Sequence, residues 1–133
     1  MALATAFRDG RLDRIPEHYI YPLAIYSPAG LWIEASPQET GDVIFLRRAA
    51  ALKAGMVDLR LTIREIADVE GERQRVGVTW EFLGPGDLTI ARSVLNYVCR
   101  RCADGAVRVE MIDFSELAFS EVGRQDTPPP RRN

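Results

Sequence analysis

Residues 19–30 read YIYPLAIYSPAG, three tyrosines and two prolines packed between an opening polar segment and a longer helical one. Pro22 starts a short strand, Leu23 to Ser27. Pro28-Ala29-Gly30 then turns the chain, because proline fixes φ and glycine frees the next position. Leu31 to Ala35 is the returning strand. The stretch is expected to floor a pocket beneath a curved sheet. Tyr19, Tyr21 and Tyr26 would stand near its mouth, against the simpler reading of packed aromatics with wet hydroxyls.

Working outward, residues 2–15 read as a helix, with Leu3, Phe7, Leu12 and Ile15 near helical spacing. Gly10 weakens its middle. Pro16 begins a further helical turn that closes at Tyr19 or Ile20. On the other side, Ser36-Pro37-Gln38-Glu39 is a strong helix start. Ser36 caps, Pro37 takes the first helical position and Glu39 reaches back in a capping box. That helix is predicted to run to Ala54, burying Val43, Leu46, Ala50 and Ala54 and broadened by Ile44, Phe45 and Leu52. Gly55 ends it.

Everything after Gly55 reads as antiparallel sheet. Val57, Leu59, Leu61 and Ile63 alternate with polar residues, as do Val76, Val78, Trp80 and Phe82. Glu70-Gly71-Glu72 and Gly84-Pro85-Gly86-Asp87 are turns. Leu88 to Arg101 is apolar on both faces, with Ile90, Val94 and Val98 on one and Ala91, Leu95 and Tyr97 on the other. Asp104-Gly105 marks a hairpin. Val107, Val109 and Met111 alternate beyond it, and Ser115 to Val122 either extends this strand or turns. Two helices followed by four long strands imply an α+β domain with helices on one face of a curved sheet. The domain is expected over residues 1–122, with a polar, proline-rich tail at 123–133.

The totals bound the function. The chain has 133 residues, suiting one domain with its own core. Its net charge of −2 argues against nonspecific nucleic-acid binding, which needs a positive field. No run approaches the roughly 20 apolar residues of a membrane helix, and the N-terminus lacks the order of a signal peptide. A cytoplasmic protein is expected, with no membrane partner. Cys99 and Cys102 form a CxxC at a strand end, where redox motifs do not normally sit. The one histidine, His18, leaves a zinc site short of ligands, so no metal is expected. There is no dinucleotide or phosphate-loop fingerprint, and no cofactor is expected.

Three stretches carry a family resemblance: YPLAIYSPAG, SPQETGDVIFLRRAAALKAGM and SVLNYVCRRCADGAVRVEMIDF. Together they resemble the NTF2-like superfamily, which includes SnoaL-like proteins and ketosteroid isomerases. The resemblance implies a cystatin-like cone, a bent sheet around helices with a pocket at the open end. It also implies a homodimer through the outer sheet face. In ketosteroid isomerases a base carboxylate precedes a proline where this chain has Ser27. Their protonated acid corresponds to Tyr97, which can donate to a developing oxyanion. Their donor tyrosine falls near Leu3. A serine with no nearby histidine cannot take a proton from carbon at a useful rate. The departure argues against steroid isomerisation.

The expected ligand contacts are therefore Tyr19, Tyr26, Ser27, Tyr97 and Asp113, with Tyr97 and Asp113 as the catalytic candidates. Asp113 breaks the apolar face of its strand, and a carboxylate on such a face could act as a base. The alternative is a strand end that has reached water. Arg92 and Asn96 interrupt their face similarly and suit a dimer interface. Trp80 reads as core. Three functions stay open: a binder of a small apolar or cyclic molecule, an acid–base enzyme of the SnoaL or isomerase kind, and a non-catalytic interaction module.

Overall fold

A computed structural model describes residues 2–120. The tail expected at 123–133, the last residues of the segment ending at Val122 and the side chain of Leu3 lie outside the described residues. Helix α1 (Ala2–Asp9) is followed by a 3-10 turn at Ile15–His18. Strands β1 (Tyr19–Ser27) and β2 (Gly30–Glu34) form the first hairpin. Helix α2 (Pro37–Lys53) precedes four strands, β3 (Asp58–Val69), β4 (Arg73–Leu83), β5 (Thr89–Arg101) and β6 (Val107–Glu116).

The six strands make one sheet in the order β2-β1-β6-β5-β4-β3. All neighbours are antiparallel except β1 and β6, which run parallel. The α+β class holds, and β1 opens earlier than predicted, at Tyr19. Between Tyr19 and Ala24 of β1 the pairing partners on β6 advance only from Val109 to Met111. Pro22 falls in that looped-out piece, where its missing N–H costs no ladder bond.

The first predicted helix stops at Asp9 instead of running to residue 15, because Gly10 adopts φ +78° and ends α1. Arg48 of α2 seals this end, with Nε donating to the Phe7 carbonyl at 2.7 Å and Nη2 to that of Arg8 at 3.0 Å. Helix α2 starts as its sequence predicts. Ser36 Oγ accepts from the Glu39 N–H at 3.3 Å. The Glu39 carboxylate reaches one residue further back than a capping box requires, accepting from the Ala35 N–H at 2.9 Å. Its C-terminus is a Schellman motif. Gly55, at φ +104°, donates to the Leu52 carbonyl, and Met56 donates to that of Ala51. Met56 and Ala51 then meet in one apolar cluster with Leu59 and Phe82.

The buried stripe of α2 differs from the expected one. Phe45 and Leu52 are exposed, at 64% and 45%. The inward positions are Thr40, Val43, Ile44, Arg47 and Ala51, so Val43 and Ile44 of the expected set do face inward. Two of these, Thr40 and Arg47, are polar, so apolar periodicity alone finds only part of the stripe.

The larger apolar cluster lies on the inner face of the sheet and includes Leu23, Ile25, Val78, Leu95, Val109 and Ile112. Fully burying a side chain such as Leu95 stabilises by about 1.5–3 kcal/mol. Register shifts leave extra, unpaired residues in β3, β5 and β6. Bulges of this kind bend strands and increase their twist, which turns the inner face toward the helices. Beyond Leu61 the inner face of β3 outruns its cover, so Ile63 is 51% exposed although it pairs with fully buried Val78.

On the outer face, Gly77 leaves room for a crossing side chain. Arg64 passes over it, and its Nη2 donates to the Leu95 carbonyl at 3.0 Å. That carbonyl lies at the register shift between β5 and β6, where the ladder is interrupted.

Candidate functional site

A cavity of about 130 Å³ lies between the inner sheet face and the helices. Its walls come from α1 through Phe7, from α2 through Val43 and Ile44, and from the sheet through Leu23, Trp80 and Leu95. Leu117, just past β6, also lines it. The following residues turn back over the site. The Ala118 N–H donates to buried Ser93 Oγ at 2.9 Å, and Phe119 packs edge-on to Phe82 with centroids 5.2 Å apart.

Six polar side chains, Tyr19, Glu34, Thr40, Arg47, Ser93 and Tyr97, interrupt this apolar lining. Tyr97 is 5% exposed, and its hydroxyl accepts from Trp80 Nε1 at 3.2 Å. The phenolic proton is thereby left to point elsewhere. Burial raises the Tyr97 pKa well above the ordinary tyrosine range, so the group stays a neutral donor. Tyr19 lines the same cavity and is raised for the same leading reason, reinforced by Tyr97 and Glu34.

Glu34, the last residue of β2, is 4% exposed. Thr40 Oγ1 donates to its Oε1 at 2.6 Å, and Trp32 Nε1 donates to its Oε2 at 3.0 Å. A carboxylate offers about four lone-pair sites, so two protein donors leave acceptor capacity toward the cavity. Arg47 brings the opposite charge to the same wall. Its guanidinium lies 5.4 Å from the Trp32 ring centroid and 6.0 Å from that of Phe114.

Of the residues singled out from sequence, Tyr19 and Tyr97 meet at this cavity. Trp80, read as core, is a wall of it and orients Tyr97. The other three are placed elsewhere. Ser27 holds the β1–β2 turn, its Oγ accepting from the Ala29 N–H at 3.2 Å and donating to the Gly30 carbonyl at 3.1 Å. Tyr26 is 41% exposed and pairs with Leu31 and Asp113. Asp113 is exposed on the outer face, opposite Asn96. The cause is a bulge at Glu110, since Val98 pairs with Met111 while the next residue, Cys99, pairs with Val109. The extra residue reverses the parity of β6, so Ile112 and Phe114 face inward and Asp113 outward. Arg92 is held by Glu116 through two hydrogen bonds of 3.1 Å.

Sequence reasoning missed Glu34, Thr40 and Arg47. For Glu34 a signal existed, since strand alternation puts it on the face of Trp32. For Thr40 and Arg47 the signal was their helical spacing with Ile44 and Ala51.

Among the described residues no group of three or more His, Cys, Asp or Glu side chains is placed to hold a metal ion. No described helix is long and apolar enough to cross a membrane. No family model matches the sequence, and no curated protein does. Solved structures do match. An NTF-2 like protein of unknown function from Shewanella oneidensis MR-1 superposes with a TM-score of 0.64 at 19% identity, over 85% of this chain and 89% of its own. A domain of unknown function with a cystatin-like fold, from Nostoc punctiforme PCC 73102, gives 0.66 at 14% identity, over 92% of this chain and 74% of its own. A ketosteroid isomerase-like protein from Erwinia carotovora atroseptica SCRI1043 gives 0.59 at 15% identity, over 87% and 90%. With six strands in one unclosed sheet, helices on its inner face and these likenesses, the chain has the NTF2-like, cystatin-like fold.

Proposed function

We propose that the protein binds a small cyclic molecule in the cavity beside Tyr97. The observation that carries the reading is an apolar hollow into which a phenol and a carboxylate, Tyr97 and Glu34, both turn. Pockets for drug-sized ligands begin at about 300 Å³. At 130 Å³ this cavity is smaller, close to the roughly 150 Å³ of an engineered apolar cavity that admits benzene. The ligand is therefore a single ring with few substituents.

Native mass spectrometry of the purified protein tests whether such a molecule is carried along. Titration with toluene, followed by amide chemical shifts, supplies the second arm. Shifts centred on Leu95, Tyr97 and Ile112 are expected. No shift at millimolar toluene, together with no copurifying mass, would overturn the reading.

A second reading is general acid–base chemistry, favoured by Glu34 standing on the same cavity as the neutral Tyr97 donor. We further propose a homodimer through the outer sheet face, supported by exposed Leu31 and Ile33 on the outward side of β2. Sedimentation as a monomer at micromolar concentration would refute it. A cytoplasmic location belongs to the same reading, supported by the free thiols of Cys99 and Cys102.

A further inference from the structure

The cavity's polar groups say more than that a ring fits. Glu34 and Arg47 bring one negative and one positive charge to a lining whose other side chains are uncharged and mostly apolar. Within it Glu34 and Tyr97 offer hydrogen-bonding capacities of opposite kinds. The Glu34 carboxylate can only accept, and Thr40 and Trp32 use part of its capacity. The Tyr97 hydroxyl already accepts from Trp80 and has its proton to give. A hydrocarbon ring would fill the hollow and cover both groups without satisfying either, and buried polar groups left unpaired are costly.

Resting on the reading of this cavity as a ligand site, we propose that its ligand is a small neutral heterocycle or ring amide. Such a ring carries an N–H or O–H donor for Glu34 and a carbonyl-type acceptor for Tyr97. Size excludes fused rings, because the cavity holds about the volume of one benzene-sized ring. A charged ligand would bear the desolvation cost of entering a mostly apolar hollow.

Two isomers isolate the donor. 3-Methyl-2-pyridone and N-methyl-2-pyridone have the same atoms and size, but only the first has an N–H. Both are titrated into the full-length protein by calorimetry, with toluene as the apolar control. The N–H isomer is expected to bind about tenfold more tightly than the N-methyl isomer, the cost of one unmade hydrogen bond to a charged acceptor. In Glu34→Gln that ratio is expected to fall to within about twofold, because the amide is a weaker acceptor than the carboxylate. In Tyr97→Phe both isomers weaken relative to toluene, since both use the carbonyl. Equal binding of the two isomers alongside measurable toluene binding overturns the ligand class and leaves the cavity reading standing. If neither pyridone nor toluene binds, the cavity reading fails and the ligand class with it.

Discussion

Replacing Thr40 by valine removes one hydrogen bond from a buried carboxylate while keeping the side chain's shape. Thr40 is 2% exposed, Glu34 is 4% exposed, and they are joined at 2.6 Å. A hydrogen bond to a charged group contributes about 1.5–3 kcal/mol, and a buried acceptor that loses its donor keeps the desolvation cost. Valine fills the same space, so little cavity cost offsets or adds to that figure. Thr40→Ser is the control. It retains the hydroxyl and loses one methyl group, worth about 1 kcal/mol. For a chain of this length, about 3–5 °C of melting temperature accompanies each kcal/mol. Differential scanning calorimetry should therefore place Thr40→Val about 5–15 °C below the wild type and Thr40→Ser about 3–5 °C below it. In a Glu34→Leu background the Thr40→Val change should cost less than about 0.5 kcal/mol, because the acceptor is gone. Valine and serine variants melting together, or an undiminished cost in the leucine background, would refute the claim that this bond holds the carboxylate at the cavity.

Three further outcomes are expected. Leu95→Ala empties the middle of the inner sheet face at a residue 2% exposed and should cost about 3–5 kcal/mol in urea denaturation. Ser36→Ala removes the acceptor for the Glu39 N–H and should cost about 1 kcal/mol, with faster amide exchange confined to the first turn of α2. The pH dependence follows from Tyr97, whose pKa is raised by burial. The unfolded chain loses this proton near pH 10 while the folded chain keeps it, so stability is full below about pH 10 and falls above it. The fall should approach about 1.4 kcal/mol per pH unit for this one group. Tyr97→Phe should flatten the slope, as read by urea midpoints between pH 9 and pH 11, and an unchanged slope would contradict the assignment.

How far the sequence could be read depended on the range of the force involved. The Ser36 cap, the Gly55 terminus and the Asp104-Gly105 turn act over four to six residues, and each forms where the residues predict. Alternation in β4 likewise grouped Val78 with Trp80 and Phe82, and in β5 it grouped Leu95 with Tyr97 on one face, which the structure buries. Helix α2 was legible in its limits and only partly in its facing, where Val43 and Ile44 turn inward but Phe45 and Leu52 do not. Its inner stripe carries Thr40 and Arg47 because it borders a polar corner of the cavity, and hydrophobic periodicity discounts such residues. Tyr97 was found through the family resemblance, which matches it to the protonated acid of the isomerases. Asp113 was misplaced because the residue that reverses β6 is Glu110, three positions earlier, and nothing in its neighbours distinguishes it from an ordinary outward glutamate.

By itself the sequence determined the α+β order, the helix ends, the hairpin turns and most of the inward face of the sheet. These follow from dihedral preferences and from nearest-neighbour hydrogen bonding. Only the tertiary structure decided which carboxylate meets the cavity. Inward or outward facing on β6 depends on its pairing with β5, where one extra residue exchanges the two faces. Glu34 becomes a site residue because α2 packs against β2 and brings Thr40 within 2.6 Å of it. Such a contact belongs to two elements at once, and local patterns along either one do not contain it.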